Sequence, residues 1–211
     1  MRKIENFVSE SDKNKVISYV RGLKRDVKID NIHIKSVASK LRGNSFMFDI
    51  TRTELSKKLS TFQSSDNLIN LNLPQIFYDI LDRISTTLGI NKDHVFLQIL
   101  VQDSGGYIHP HYDSAIDGHI TYKCNISIKS EDYILFVDGD EFNIKEGDLY
   151  CFEASLYKHW TEPFITERII LSWGFILPYQ DLGRDENCPR VRLSKRIQKY
   201  FQNIHKKGSE N

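Results

Sequence analysis

Residues 120–144 read ITYKCNISIKSEDYILFVDGDEFNI, and this stretch decides the fold class. ITYKCNISI (120–128) alternates apolar and polar side chains, and YILFVDGDEFNI (133–144) is two β-prone runs around Asp138-Gly139. Asp-Gly readily takes the positive φ angles of a tight two-residue turn, so the second run predicts a hairpin. Outward from it the same pattern repeats. VFLQILVQ (95–102) is apolar and β-branched enough for a buried strand, and Gly105-Gly106 breaks it. Downstream, EGDLYCFEA (146–154) carries another turn and strand, and ERIILSWGFILP (167–178) is a long last strand ended by Pro178. Short strands at even spacing, punctuated by Gly and Asp, predict an antiparallel sandwich or jelly roll.

The flanks read differently. In NLINLNLPQIFYDILDRISTTLGI (67–90), Ile76, Phe77, Ile80, Leu81, Ile84 and Leu88 recur at helical spacing. Pro74 suits the first turn and Gly89 the stop, so a helix is expected there on the outside of one sheet. Further upstream, VISYVRGLKRDV (16–27) reads as a short helix or strand, and NSFMFDITRTE (44–54) as a strand entering a loop. Near the C-terminus, Leu193, Ile197, Tyr200 and Ile204 fall at helical spacing among Arg190, Arg192, Lys195, Arg196 and Lys199. This predicts an amphipathic helix with its apolar stripe on the sheet and its charges in water. At 211 residues one domain is expected: mixed α/β support over 1–93, a jelly-roll core over 94–178 and a helical extension over 179–211.

Bulk composition excludes more than it selects. A net charge of +1 gives no general attraction to nucleic acid or to a membrane surface. Three scattered cysteines, Cys124, Cys151 and Cys188, make neither a disulfide framework nor a CxxC zinc site. The N-terminus lacks a secretory apolar run and no stretch has transmembrane length, so a cytoplasmic location is the default expectation.

Chemistry concentrates in His109-Pro110-His111-Tyr112-Asp113, with His159 far downstream and Arg168 shortly after it. Residues two apart on a strand share a face, so His111 and Asp113 are expected to point together at one metal ion. A facial arrangement needs its third ligand from another strand, which His159 supplies. Two imidazoles and one carboxylate suit iron(II) and leave adjacent positions open. Arg168, always charged and two-pronged, is suited to hold the far carboxylate of a keto acid bound to the metal. An HxD triplet, a histidine beside an aromatic and an arginine at a strand start are each common alone. Their order on an all-β background is what points to one centre.

Over residues 95–178 the chain resembles the Fe(II)/2-oxoglutarate-dependent dioxygenase superfamily, most of all its aspartyl/asparaginyl β-hydroxylase and bacterial proline hydroxylase branch. The resemblance rests on IHPHYD, KCNISI, VDGDEFNIKEGDLYCFEASLYKHW and TERIILSW. It implies a mainly β fold with flanking helices, the double-stranded β-helix (jelly roll, cupin-like). It also implies Fe(II), 2-oxoglutarate and O2 as cofactors, with His111, Asp113 and His159 on the metal and Arg168 on 2-oxoglutarate. The reaction implied is hydroxylation of an aliphatic C–H of an amino acid, free or in a peptide or protein, with release of succinate and CO2. Asp113 sets the chain apart from related halogenases, which lack that carboxylate.

Two departures stand out. The branch usually has Arg-Leu-His on the strand after the first ligands, where this chain has Lys123-Cys124-Asn125. Some members carry a Ser two residues after the arginine; here that position is Ile170, and Ser172 is the nearest hydroxyl on the same face. Lys123, Asn125 and Ser172 are therefore the expected further cosubstrate contacts. His109, Tyr107, Tyr112, Trp160 and Trp173 are the candidate substrate contacts, and His119 is expected in a loop. Three rivals remain: a cupin-type dioxygenase or isomerase ligated by His109, His111 and His159 without 2-oxoglutarate, a catalytically silent jelly-roll binding module, and a nucleic-acid demethylase of the same superfamily. Against the last count the neutral charge and the lack of a basic, aromatic-interleaved groove. Cupins normally add a Glu soon after their HxH pair, and none occurs between His111 and Glu131.

Overall fold

The β-branched and aromatic runs become strands, and the strands form two antiparallel sheets. The computed structural model covers the described residues 1–22, 45–52 and 73–208, with side chains described outside 45–52 and before 200. In chain order they give β1 (Arg2–Ile4), α1 (Glu10–Gly22), β2 (Ser45–Arg52), α2 (Gln75–Leu88), β3 (Val95–Gln102), β4 (Ile108–His111) and β5 (His119–Lys129). The hairpin β6 (Tyr133–Val137) and β7 (Asp140–Ile144) follows, then β8 (Leu149–Glu153), β9 (His159–Thr161) and β10 (Arg168–Pro178). A 3-10 turn (Tyr179–Leu182) leads to α3 (Pro189–Gly208). The major sheet has the order β1-β8-β5-β10-β3-β2 and the minor sheet β4-β9-β6-β7. Strands close in space but distant in sequence, crossing between two facing sheets, make the expected double-stranded β-helix. At the β6–β7 turn Asp138 and Gly139 have φ of 57° and 96°, both in the left-handed region the hairpin needs.

Alternation along the central strands has an unexpected meaning. On β10, Ile169, Leu171, Trp173, Phe175 and Leu177 face the helices, packing with Phe77, Ile80 and Ile84 of α2 and Val16 and Val20 of α1. The opposite face carries Ile170, which packs with Leu100, Leu135, Tyr150 and Phe152 between the sheets. Both faces of the major sheet are therefore covered, so Lys123, Asn125 and Ser172 point into an interior pocket rather than into water.

Local chemistry sets the helix ends. Ser9 and Asp12 cap α1 reciprocally: the Asp12 N–H donates to Ser9 Oγ at 3.1 Å and the Ser9 N–H to Asp12 Oδ2 at 3.4 Å. The ambiguous VISYV stretch thus lies in a helix, while 23–27, like 53–72, is outside the described residues. Pro74 stands at the N-cap of α2 rather than in its first turn, and Gly89 closes the helix at φ 68°. Phe77, Ile80 and Ile84 are wholly buried, each contributing roughly 1.5–3 kcal/mol of burial.

On α3 the apolar stripe is rotated from the expected one. Val191 is buried with Ile120, Leu156 and Tyr179, whereas Leu193 is 40% exposed. The rotation follows from the docking contacts: Val191 plugs this small cluster, and Arg190 forks onto the Asp138 carboxylate of the hairpin turn. Tyr200 and Ile204, the rest of the expected stripe, lie outside the described side chains. Arg192, Arg196 and Lys199 face water, as expected. Among the described residues no helix is long and apolar enough to cross a membrane.

Candidate active site

A pocket that opens to solvent lies between the sheets. His111, Asp113, His159, Lys123, Asn125, Arg168 and Ser172 all line it. β4 forms the edge of the minor sheet, the position where Pro110, lacking an N–H, is tolerated. It pairs with β9 through Ile108 opposite Thr161 and His111 opposite His159, with a bulge between the two pairs. The bulge cancels the two-residue period locally. Ile108 and His111 both face the pocket, and His109 turns out into solvent instead of sharing a face with His111. His119 likewise departs from its expected loop placement and begins β5.

Asp113 also reaches the site by a route other than strand alternation, because β4 has already ended at His111. Its peptide is held at both ends. The N–H donates to the Ala154 carbonyl at 3.0 Å, and the carbonyl accepts from Gln198 Nε2 of α3 at 3.0 Å. One residue on, the Ser114 carbonyl accepts from Thr121 Oγ1 at 2.6 Å.

The three side chains converge. Asp113 Oδ1 lies 3.4 Å from His111 Nε2 and 3.9 Å from His159 Nε2, and all three ligand atoms fall within 4.8 Å of one another. Each imidazole is oriented by the backbone carbonyl two residues before it: His111 Nδ1 lies 2.8 Å from the His109 oxygen and His159 Nδ1 3.0 Å from the Tyr157 oxygen. A carbonyl only accepts, so both Nδ1 atoms carry the proton and both Nε2 lone pairs point at the shared centre. Burial, then His111 beside it, pushes His159 down to about 3, so the ring is neutral and ready to ligate at neutral pH. Burial works to raise the Asp113 carboxyl, but Lys123 and the two imidazoles outweigh it and hold it well below the usual range. Two imidazoles, each with its Nδ1 on a backbone carbonyl, and one ionised carboxylate, all aimed at one point, fit an iron(II) ion.

Arg168, only 1% exposed, lies farther into the same pocket. Gln102 Oε1 accepts from its Nε at 2.8 Å and from its Nη2, while the guanidinium sits 3.8 Å over the Phe164 ring and 4.6 Å over that of Tyr133. Nη1 is buried without a hydrogen-bond partner. Among the described residues no carboxylate pairs with this cation. A buried guanidinium that has neither a counter-anion nor a partner for one nitrogen fits a carboxylate ligand.

Lys123 is placed at the metal end of the pocket. Its Nζ donates to Gln98 Oε1 at 2.6 Å and Ser172 Oγ at 3.2 Å, and lies 3.7 Å from Asp113 Oδ2. The lysine thus engages one carboxylate oxygen while the other faces the histidines. Asn125 presents a buried Oδ1 without a partner.

The aromatic candidates fare differently. Trp173 sits in the core between sheet and helices, since odd positions of β10 face away from the pocket. Trp160, between the inward-facing His159 and Thr161, stacks on Phe136 at 4.8 Å outside the minor sheet. Neither of these expected substrate contacts is among the residues that line the pocket. Tyr107 packs edge-on against His109 at 4.6 Å, and neither these two nor Tyr112 lines the pocket. Several lining or supporting residues escaped the sequence reading: Gln98, Gln102, Tyr133, Phe164 and Gln198. Gln98 and Gln102 had a signal, being two amides at even spacing in an otherwise apolar strand.

No family model matches the sequence, and no curated protein matches it. Solved structures do match, at low identity. The viral collagen prolyl hydroxylase of Paramecium Bursaria Chlorella virus-1, solved as a 2-oxoglutarate complex, is 15% identical with a TM-score of 0.54 over 83% of this chain and 95% of that one. OsALKBH1 is 11% identical with a TM-score of 0.57, over 81% and 94% of the two chains. A prolyl hydroxylase from Trichoplax adhaerens, in complex with a hypoxia inducible factor oxygen degradation domain peptide, is 14% identical with a TM-score of 0.53, over 87% of each. The chain shares the fold of these proteins along most of its length.

Proposed function

We propose that this chain is an Fe(II)- and 2-oxoglutarate-dependent oxygenase that hydroxylates an aliphatic C–H of an amino acid, free or within a peptide or protein. The observation that carries the proposal is the pairing, in one pocket, of the convergent His111, Asp113 and His159 with a buried Arg168 that has no counter-anion among the described residues. His111, Asp113 and His159 hold the metal; Arg168 holds the distal carboxylate of 2-oxoglutarate. With iron(II) bound, the centre supplies the oxidising power: O2 and 2-oxoglutarate are consumed, one oxygen atom enters the C–H bond, and succinate and CO2 leave. The chain's own work is orientation and exclusion of water. The His109 and Tyr157 carbonyls fix the imidazole tautomers, and Lys123 fixes the Asp113 carboxylate. Leu100, Leu135, Phe152 and Ile170 form an apolar wall on one side of the pocket. An amino-acid substrate in peptide form is supported by the peptide complex of the Trichoplax protein with the same fold. The cupin-type alternative loses its third histidine, because His109 faces solvent.

The test is succinate formation by protein loaded anaerobically with iron(II) and then aerated, with and without a panel of amino acids and short peptides. Turnover that His111→Ala and Arg168→Ala both abolish supports the assignment, and the panel member that stimulates it names the substrate class. Iron binding without any consumption of 2-oxoglutarate would refute it.

A further inference from the structure

We propose that Gln102 is the positioning residue of the cosubstrate site: it locks the Arg168 guanidinium by an uncharged contact and so leaves the whole positive charge for the distal carboxylate of a 2-oxo acid. The inference rests on the cosubstrate role given to Arg168 above and extends it to the residue behind it.

Gln102 is fully buried and directly opposite Arg168 in the β3–β10 ladder. Its amide is used at both ends. Oε1 accepts from Nε and Nη2 of Arg168, and Nε2 donates to the Tyr107 carbonyl at 3.1 Å. Only an amide satisfies both partners, because an aliphatic chain offers neither group and a carboxylate offers no donor. The contact occupies the Nε–Nη2 edge of the guanidinium. Rings of Phe164 and Tyr133 take up its face, at 3.8 and 4.6 Å. What remains is the Nη1 end, buried and without a partner. The arginine is therefore fixed in angle, held against swinging toward the metal, and left with one two-pronged edge.

Buried arginines are more often tethered by carboxylates, which neutralise them. A Glu at position 102 would keep the shape of the tether and cancel the charge, turning an anion site into a closed ion pair. The tether also joins the cosubstrate arm to Tyr107, in the turn that leads to β4 and His111. Gln102 thereby sets the spacing between the two ends of a five-carbon keto acid.

The experiment measures binding by calorimetry to Mn(II)-loaded protein, which does not turn over, with two probes: 2-oxoglutarate and 2-oxobutyrate, which lacks the distal carboxylate. Gln102→Glu should weaken 2-oxoglutarate binding about a hundredfold, the loss of a charge-assisted contact, and leave 2-oxobutyrate within threefold of the wild type. Gln102→Met, which keeps the charge and loses the tether, should weaken 2-oxoglutarate about tenfold with 2-oxobutyrate again unchanged. If Gln102→Glu does not fold by circular dichroism, Gln102→Met decides alone. Unchanged 2-oxoglutarate affinity in the folded variants, or equal loss of both probes, overturns the role of Gln102 while leaving that of Arg168 standing. A wild type that binds neither probe overturns the cosubstrate reading and this inference with it.

Discussion

Gly174→Ala is the substitution whose cost follows most directly from the geometry. Gly174 lies on β10 between Phe96 of β3 and Lys123 of β5, in register with both. A Cβ there would meet Phe96 Cζ at 2.1 Å, Cε1 at 2.4 Å and Cε2 at 2.6 Å. Relief to an ordinary 3.4 Å contact needs 3.4 − 2.1, about 1.3 Å, of ring movement. Phe96 is buried, and its ring lies 4.7 Å from the Lys123 ammonium, so moving the ring disturbs that contact and its packing. Overpacking of this kind costs about 1–3 kcal/mol, and a chain of this size loses about 2–4 °C in Tm per kcal/mol. A drop of about 2–12 °C is expected for the metal-free protein, read by circular dichroism melts. Phe96→Leu removes the offending ring, and in that background the added methyl should cost less than about 1 kcal/mol, a coupling that a double-mutant cycle detects. A Tm change under 2 °C, or an equal drop in both backgrounds, would refute the reasoning.

Gln198→Leu removes the donor that holds the Asp113 carbonyl, and should weaken Co(II) binding about tenfold, read from its visible absorption, with little change in Tm. Arg190→Ala, which frees the same helix from Asp138 but keeps Gln198, should leave Co(II) affinity within threefold. Acid should destabilise the metal-free protein from near pH 6.5 downward. An unfolded His159 protonates there while the folded ring stays neutral to about 3. The unfolded state therefore binds more protons in that window, and stability falls as pH falls. A urea midpoint that stays flat between pH 7 and 5, or one whose slope survives His159→Asn unchanged, contradicts this. Trp160→Ala strips a ring stacked on the outside of the minor sheet, and 2-oxoglutarate affinity should stay within twofold by calorimetry.

The strands, the Asp138-Gly139 hairpin and the α2 helix were readable from the chain because each is a local matter: side-chain period, turn chemistry and capping act over a few residues. The kinds of side chain able to hold a metal or an anion were readable for the same reason, since an imidazole or a guanidinium brings its chemistry wherever it lands. Which face it lands on is set by long-range packing. The polar positions of ITYKCNISI point inward only because a second sheet and two helices cover both faces of the first. His109 is turned out by a bulge that pairing with β9 creates, and Trp173 is sent to the core by the register of β10. Gln102 meets Arg168 across a ladder, and Gln198 reaches Asp113 from the far end of the chain. Residues so distant in sequence leave no local pattern of their pairing. The sequence by itself therefore determined the elements and the chemical vocabulary of the site. Tertiary structure alone decided which of those groups meet, because strand register and helix docking are settled by the burial of the whole core.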